Sequence, residues 1–368
     1  MAGVTRRQST GRWQARWRDP DGRQRKKSFA RKIDAQQWLD QLQAAAHRGQ
    51  YVAPAAGRTR FSDVADGWAV GLAHLKPSTQ VRYRSILSVH VRPRWSSWPV
   101  GEIRRSDVTT WTAELVATGA SPGTIRQIHR VLSLILDVAV DDGLVGQNAA
   151  AKVRMPRQVR GQPRFLSPEE VARLAEAAGA NSLGILMLAF TGLRFGEFAA
   201  LKVKRVDLPR RRLTVAESVS EVGGVATWTT PKTHQTRSVP FPPSLCDPIA
   251  ALCQGRQPED LLFTGPQGRV LRLGNWRRRI FDPACRVADL DHLKPHDLRH
   301  TAASLAIRSG ANVKAVQRML GHASAAMTLD VYAGLFADDL DSVAVALDSF
   351  VPQLRPEPDR ATRTTPSE

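Results

Sequence analysis

The apolar positions of this chain follow three successive rhythms. In the first fifty residues Trp13, Ala15 and Trp17 alternate with Gln14, Arg16 and Arg18, the two-residue period of a strand with one apolar face. Asp19-Pro20-Asp21-Gly22 is a turn sequence, and Arg23 to Phe29 forms the return strand of a hairpin. Ala35 to Ala45 reads as a helix whose Trp38 and Leu39 cover the sheet. From residue 61 to 153 the period becomes helical. Ser62 caps a first helix running through Trp68 to Leu72, and Pro77 opens a second with Val81, Ile86, Leu87 and Val91 inward. A third begins near Ser106 with Val108, Trp111 and Leu115. Ser121-Pro122 opens a fourth, whose stripe is Ile125, Ile128, Val131, Leu132, Ile135 and Val138. The last rhythm mixes helices with a little sheet. Ser167-Pro168-Glu169-Glu170 is a capping sequence, and strands are expected within Arg205 to Val215 and Ala226 to Val239. Helices resume at Ser244, at Asn275 to Ala288, from Pro295 onward, and in an apolar-striped segment from Asp338 to Phe350.

Stretches without rhythm separate these blocks. The pattern divides the chain into a small sheet-and-helix domain at 1–50, a Pro/Gly/Ala-rich linker at 51–60 and a helical bundle at 61–153. A basic linker follows at 154–162, then a mixed domain at 163–351 and a polar, Pro-rich tail at 352–368 expected to be disordered. The fold class is mainly α (α+β), with a small sheet in the first domain and another within the mixed domain.

Charge changes the picture next. The chain carries 53 Lys and Arg against 34 Asp and Glu, a net +19, which calls for a polyanionic partner. An anionic membrane is the rival to nucleic acid. No apolar run approaches the roughly 18 residues a membrane span needs, and no amphipathic anchor dominates. The start of the chain has no apolar leader, so a cytoplasmic protein is expected. Cys246, Cys253 and Cys285 lack ligand spacing and read as reduced, buried thiols, with no metal site. The first thirty residues hold nine Arg or Lys against two Asp. Arg12, Arg16, Arg18, Arg25, Lys26 and Lys27 lie on or beside the hairpin, a shape that can enter a DNA major groove. Arg82, Arg84, Arg126 and Arg130 occupy polar positions of the bundle. Arg154 and Arg157 lie in the second linker, and Arg277 and Arg278 in an Arg-rich helix; all are candidates for phosphate contact. For any one of them a solvated helix face is the alternative.

The densest chemistry lies between Lys294 and Leu335. His296 and Arg299 are three apart and share a helix face. Pro295 suits that helix's first turn, Gly310 ends it, and Asn312 caps the next, Val313 to Leu320. Gly321 then puts His322 in a turn, and Tyr332 lies on a third short helix. Cationic donors of this kind stabilise the charge that grows on a phosphodiester under attack. Tyr332 is one of three tyrosines, and the one set among cations; their proximity is expected to make its phenolate accessible. Alone, it would read as a helix aromatic. Upstream, Arg194 stands between two glycines in Thr191-Gly192-Leu193-Arg194-Phe195-Gly196-Glu197, a spacing that lets backbone approach a ligand closely. Lys232 stands in Thr229-Thr230-Pro231-Lys232-Thr233, read as a hairpin tip, ahead of Arg237-Ser238-Val239-Pro240.

Five such pieces in this order resemble the tyrosine recombinases of the phage-integrase family. The resemblance is strong over about residues 160 to 350 and looser elsewhere. It places Arg194, Lys232, His296, Arg299, His322 and Tyr332 at the family's catalytic positions, with Glu197 orienting Arg194. Ala333-Gly334 departs from the family's usual Ala-His after the nucleophile. The resemblance implies an arm-type DNA-binding domain at 1–50, a core-binding domain at 61–153 and a catalytic domain at 163–351. It further implies that Tyr332 attacks phosphorus, leaving a 3′-phosphotyrosyl link. Arg194, Arg299 and His322 then hold the nonbridging oxygens, Lys232 protonates the leaving 5′-oxygen, and His296 accepts or positions the phenol proton. Neither metal nor ATP is required, and no cofactor is expected. The implied partners are double-stranded attachment sites, a tetramer of the protein on DNA, DNA-bending accessory factors and an excision factor. The C-terminal helix packs either on a neighbouring subunit or on its own domain. Two rivals remain: a type IB topoisomerase and a DNA-binding regulator without catalysis.

Overall fold

The structure is a computed structural model that describes residues 2–18, 22–47, 52–53, 55–158, 164–230, 236–332 and 347–348. The chain divides into two compact units, Met1–Gly161 and Gln162–Glu368.

The first unit opens with a three-stranded antiparallel sheet, β1 (Gly3–Arg6), β2 (Trp13–Arg18) and β3 (Gln24–Phe29), with β2 central. The expected hairpin thus gains a strand. Val4 is the one apolar residue in β1, too little for a period to register. The turn residues 19–21 lie outside the described residues, and Arg23 precedes the return strand. Helix α1 (Lys32–His47) covers one face, burying Ala35 and Leu39 over Ala15 and Trp17. Trp38 tilts against Phe29 with ring centroids 5.7 Å apart.

The rest of this unit is helical: α2 (Phe61–Val70), α3 (Pro77–Ile86), α4 (Arg92–Trp95), α5 (Arg105–Ala117) and α6 (Pro122–Asp141). The α6 stripe forms the spine, with Ile128, Val131, Leu132 and Ile135 fully buried. Trp95 meets Trp98 and Trp111 edge-on at 5.3 and 5.6 Å. A π turn, Leu87–Val91, joins α3 to α4 immediately before Pro93. Proline donates no hydrogen bond and crowds the carbonyl four residues back, so widening the helix by one residue lets it continue. The same device recurs at Arg277–Phe281, ahead of Pro283. Two expectations fail here. Ser62 lies inside α2, whose entry is fixed instead by the Phe61 N–H donating to Trp98 O at 2.9 Å. Val81 is 45% exposed, because α3 turns Tyr83 inward to stack on Trp68 at 5.8 Å.

The second unit begins with α7 (Pro168–Ala177), whose Ser167 and Glu170 exchange side-chain and backbone hydrogen bonds in a capping box. Then come α8 (Ser182–Thr191), α9 (Phe195–Ala199), β4 (Val206–Asp207), β5 (Arg212–Val215), β6 (Ser218–Val222), β7 (Val225–Thr229) and β8 (Arg237–Pro240). The strands form two sheets, β4-β5-β8 and β6-β7. Strands β7 and β8 therefore belong to different sheets. Gly223 and Gly224, with φ of 58° and 80°, make a tight turn that folds β7 back onto β6, while β8 pairs with β5. Lys232, expected at a hairpin tip, lies outside the described residues.

Helices α10 (Cys246–Cys253), α11 (Leu273–Trp276), α12 (Asp282–Val287), α13 (Pro295–Arg308), α14 (Val313–Leu320) and α15 (Ala325–Tyr332) complete the unit. One core runs through it, from Leu174 and Ile185 to Phe281, Leu298, Leu320 and Tyr332. Cys285 is buried there, but Cys246 and Cys253 are only half-buried, because α10 packs chiefly through Ile249. The segment expected to be helical from Asp338 to Phe350 lies outside the described residues except at 347–348, as does the tail at 352–368.

Leu132 is fully buried at the centre of the bundle. Leu132→Ala should cost about 2–5 kcal/mol of that unit's stability, read as a lower midpoint in denaturant melts of the full chain.

Candidate active site

The site is built from the ends of α8, α9, α13, α14 and α15. Helix α8 stops at Gly192, whose φ of +64° is left-handed. A Cβ there would fall 2.7 Å from Leu320 Cδ2, so glycine is demanded by backbone and by packing alike. The close approach expected around Arg194 is thus made by the protein's own α14. The Gly192 carbonyl accepts from Arg299 Nη1 at 2.5 Å, and the Leu320 carbonyl accepts from Nη2 at 2.5 Å. Two helix C-termini, both lacking internal partners for their last carbonyls, are tied together by one guanidinium.

Glu197, in the first turn of α9, is 2% exposed. Its Oε2 accepts from the Arg194 N–H at 2.9 Å and its Oε1 from Arg194 Nη1 at 3.0 Å. Arg237, at the start of β8, meets the same carboxylate fork to fork, at 2.9 and 2.5 Å, and donates from Nε to Met319 O at 3.0 Å. Burial alone would raise the Glu197 pKa, but Arg237 and then Arg194 hold it below the usual carboxylate value. Gly321 ends α14 in the left-handed region, and a Cβ there would lie 2.9 Å from Arg237 Cδ. Arg237 therefore fixes both Glu197 and the turn that carries His322.

Arg299 is 3% exposed, and among the described residues its guanidinium forms no ion pair. Burial, then repulsion by Arg194, lowers its pKa to about 9, with Glu197 partly opposing. Two guanidiniums thus share one carboxylate, and a third lies in its field. That excess of buried positive charge is a seat for an anion.

The imidazoles surround this seat. His322 Nδ1 lies 3.0 Å from the buried Thr328 hydroxyl, and burial followed by the charges of Arg299 and Arg194 lowers its pKa to about 4. His296 keeps a solvent-facing edge in the first turn of α13. Loss of hydration on its inner side, then His300, Arg299 and Arg194, push its pKa to about 4. Its ring stands edge-on to His300, with centroids 5.0 Å apart. His300 Nδ1 lies 2.8 Å from the Tyr332 hydroxyl. Tyr332 closes α15, is 1% exposed and packs on Phe165 at 5.9 Å. Contrary to expectation, its phenol is not eased toward ionisation here. Burial pushes the pKa up to about 12, outweighing the pull of Arg299.

Arg194, His296, Arg299, His322 and Tyr332 are therefore brought into one cluster, and Lys232 lies outside the described residues. Sequence reasoning gave no role to His300 or Arg237. His300 had a signal, since it lies one helical turn after His296. Arg237 had none, because its partners are 40 and 82 residues away.

The basic candidates elsewhere separate by face. Register pairs Arg16 with Lys26 and Arg18 with Gln24 on one side of the N-terminal sheet. Arg25 and Lys27 fall on the other side, with Trp17 and Ala15, and Lys27 Nζ sits 5.8 Å from the ring of Trp38 in the covering helix. Arg12 is exposed just before β2. Arg82 lies over Tyr83 at 5.9 Å, and Arg84 donates to Gln80 at 3.1 Å. Arg130 is exposed one turn after Arg126, which holds Pro156 O at 2.8 Å and so brings the segment with exposed Arg154 and Arg157 beside α6. Arg277 pairs with Asp282 at 3.2 Å and Arg278 with Asn275 at 3.1 Å, both exposed. Among the described residues no helix is long and apolar enough to cross a membrane.

Comparison with known proteins adds the following. Residues 164–338 match the model described as "Phage integrase family", and residues 1–48 match "Phage integrase, N-terminal domain". The chain is 30% identical over 347 residues to "Putative prophage phiRv2 integrase" of Mycobacterium tuberculosis, covering 89% of this chain and 90% of that one. It is 29% identical over 235 residues to "Tyrosine recombinase XerC" of Corynebacterium efficiens, covering 61% of this chain and 71% of that one. Its fold is similar to that of the Tn1549 transposon integrase in complex with a circular intermediate DNA (TM-score 0.68, 20% identity, 79% of this chain and 99% of that one). It is similar also to a lambda integrase tetramer bound to a Holliday junction (TM-score 0.58, 18% identity, 87% of this chain and 95% of that one).

Two outcomes follow from the electrostatics. Glu197→Ala leaves Arg237 buried and unpaired; it should cost about 3–5 kcal/mol in urea unfolding, with sulfate recovering part of the loss. His296 and His322 bind protons at an ordinary 6.5 when unfolded and only near 4 when folded. Between those values the unfolded chain holds more protons, so stability should fall as pH drops from 6.5 toward 4 and level off above that window. Thermal melts of the protein and of a His296→Asn/His322→Asn variant check this, the variant showing the shallower dependence.

Proposed function

Since this chain belongs to the phage integrase family and is a tyrosine-type site-specific recombinase, we propose that Tyr332 is its nucleophile and that the guanidinium cluster seats the scissile phosphate. The observation that carries this reading is the placement of Tyr332 in the field of Arg299, a buried cation that forms no ion pair among the described residues. A DNA phosphate supplies the missing charge. Arg194 and Arg299 grip its nonbridging oxygens. In the tautomer in which the Thr328 hydroxyl, 3.0 Å away, donates to Nδ1, His322 carries its proton on Nε2 and offers it to the same oxygens.

Attack forms a 3′-phosphotyrosyl bond and releases a 5′-hydroxyl, which Lys232 protonates. The energy of the broken phosphodiester is kept in the new bond, so a partner strand's 5′-hydroxyl can displace the tyrosine and reseal the break. Residues 1–50 bind arm-type sites through the face bearing Arg16, Arg18 and Lys26, residues 61–153 bind the core site, and residues 163–351 carry the chemistry. Exchange between two duplexes takes four protomers on DNA, assisted by bending and excision factors.

The test is a nicked suicide duplex that traps the covalent intermediate. Wild type should form an adduct with DNA; Tyr332→Phe should form none while still shifting the duplex in a gel. Arg299→Ala should also lose cleavage and keep much of the affinity, because phosphate contacts elsewhere are numerous. An adduct in the Tyr332→Phe protein would refute the assignment. Joint molecules from two attachment duplexes distinguish recombination from simple relaxation.

A further inference from the structure

The phenol proton of Tyr332 needs a destination. Among the described residues the hydroxyl's hydrogen-bond partner is His300 Nδ1, at 2.8 Å. His296, to which the family pattern gives this task, stands instead with its ring against His300, 5.0 Å between centroids. We infer that His300 is the base that takes the Tyr332 proton as the phenolic oxygen bonds to phosphorus. This rests on Tyr332 being the nucleophile, as argued above.

The step balances without any further reactant. The Oη–H bond breaks and its proton moves to His300 Nδ1. The freed electron pair on Oη forms the new P–O bond, and the P–O5′ bond breaks with its pair leaving on the 5′-oxygen. On rejoining, the imidazolium returns the proton to the departing phenolic oxygen.

Three features suit His300 to the role. Its position is fixed, because it follows Arg299, whose guanidinium is clamped to the carbonyls of Gly192 and Leu320. The acceptor and the phosphate seat therefore move as one body. The ring is half-buried, and burial together with Arg299 lowers its pKa against the opposing pull of Asp297, which keeps the lone pair free near neutral pH. Tyr332, pushed up to about 12, does not ionise unaided at that pH.

The test uses the full-length protein in single-turnover cleavage of the nicked suicide duplex. Asparagine can place an amide oxygen near the position of histidine Nδ1, so His300→Asn can keep the hydrogen bond but cannot take the proton. It should slow adduct formation by about 10²- to 10⁴-fold with duplex binding unchanged. A fluorinated tyrosine at position 332, which ionises more readily, should restore most of that loss. A substrate with sulfur in place of the leaving 5′-oxygen should not, because it relieves only the need for an acid. Wild-type rates in His300→Asn would overturn the inference. So would a loss that the sulfur substrate rescues and the fluorinated tyrosine does not, or full activity in His300→Asn beside a dead His300→Ala, which would make His300 a positioning residue only. These failures are distinct from failure of the nucleophile assignment, which an adduct from Tyr332→Phe would reveal.

Discussion

The carboxylate of Glu197 is the constraint on which the catalytic unit turns. It is buried, and it accepts from both Arg194 and Arg237. A buried carboxylate is tolerable only when its charge is matched, and here it is outnumbered. Arg237 alone would neutralise it. Positive charge therefore stands in excess: Arg194 shares the Glu197 carboxylate with Arg237, and Arg299 leans on two neutral helix-end carbonyls. A cation held by dipoles rather than by an anion, as Arg299 is, keeps its charge available for a ligand.

The same interactions set the geometry. Arg237 reaches from the edge of a sheet to Glu197 and to the last turn of α14, and Arg299 reaches from α13 to the ends of α8 and α14. Four stretches that are remote in sequence become one rigid seat. Gly192 and Gly321 permit this because side chains of the opposing elements fill the space their Cβ atoms would need. Substituting any member of this set is a structural change before it is a chemical one. Effects on cleavage are informative only where binding and folding are measured alongside.

Much of this was legible in the sequence, and the reasons for the rest are physical. Helices α13 and α14 were readable to within a residue or two, because Pro295, Gly310, Asn312 and Gly321 punctuate a clear apolar stripe. The α6 stripe was equally plain. Strand β1 was not, because four residues with one apolar member carry no period. The pairing of β7 with β6 was not legible either, because the Gly223-Gly224 turn that commits it was not weighed. Within the site, residue identities came from motif order, but their linkage did not. The Arg237–Glu197 pair spans 40 residues and leaves no local pattern. The state of Tyr332 was also hidden. Counting nearby cations suggests an easily ionised phenol, whereas burial acts in the opposite direction and wins.

That reversal bears on how such a site stays silent without DNA. The cations proposed to stabilise the transition state do little for a phenol that is shielded from water and held by a neutral imidazole. In the proposed mechanism, chemistry then depends on two events that arrive together. A phosphate must fill the seat, which matches the excess positive charge and offers an electrophile. The phenol must then surrender its proton within that seat. Neither event alone produces cleavage, since an exposed phenolate has no target and a seated phosphate has no attacker. On this proposal a buried, hydrogen-bonded phenol beside a cluster with excess positive charge couples the two, and the coupling follows from burial and charge count without any separate regulatory part.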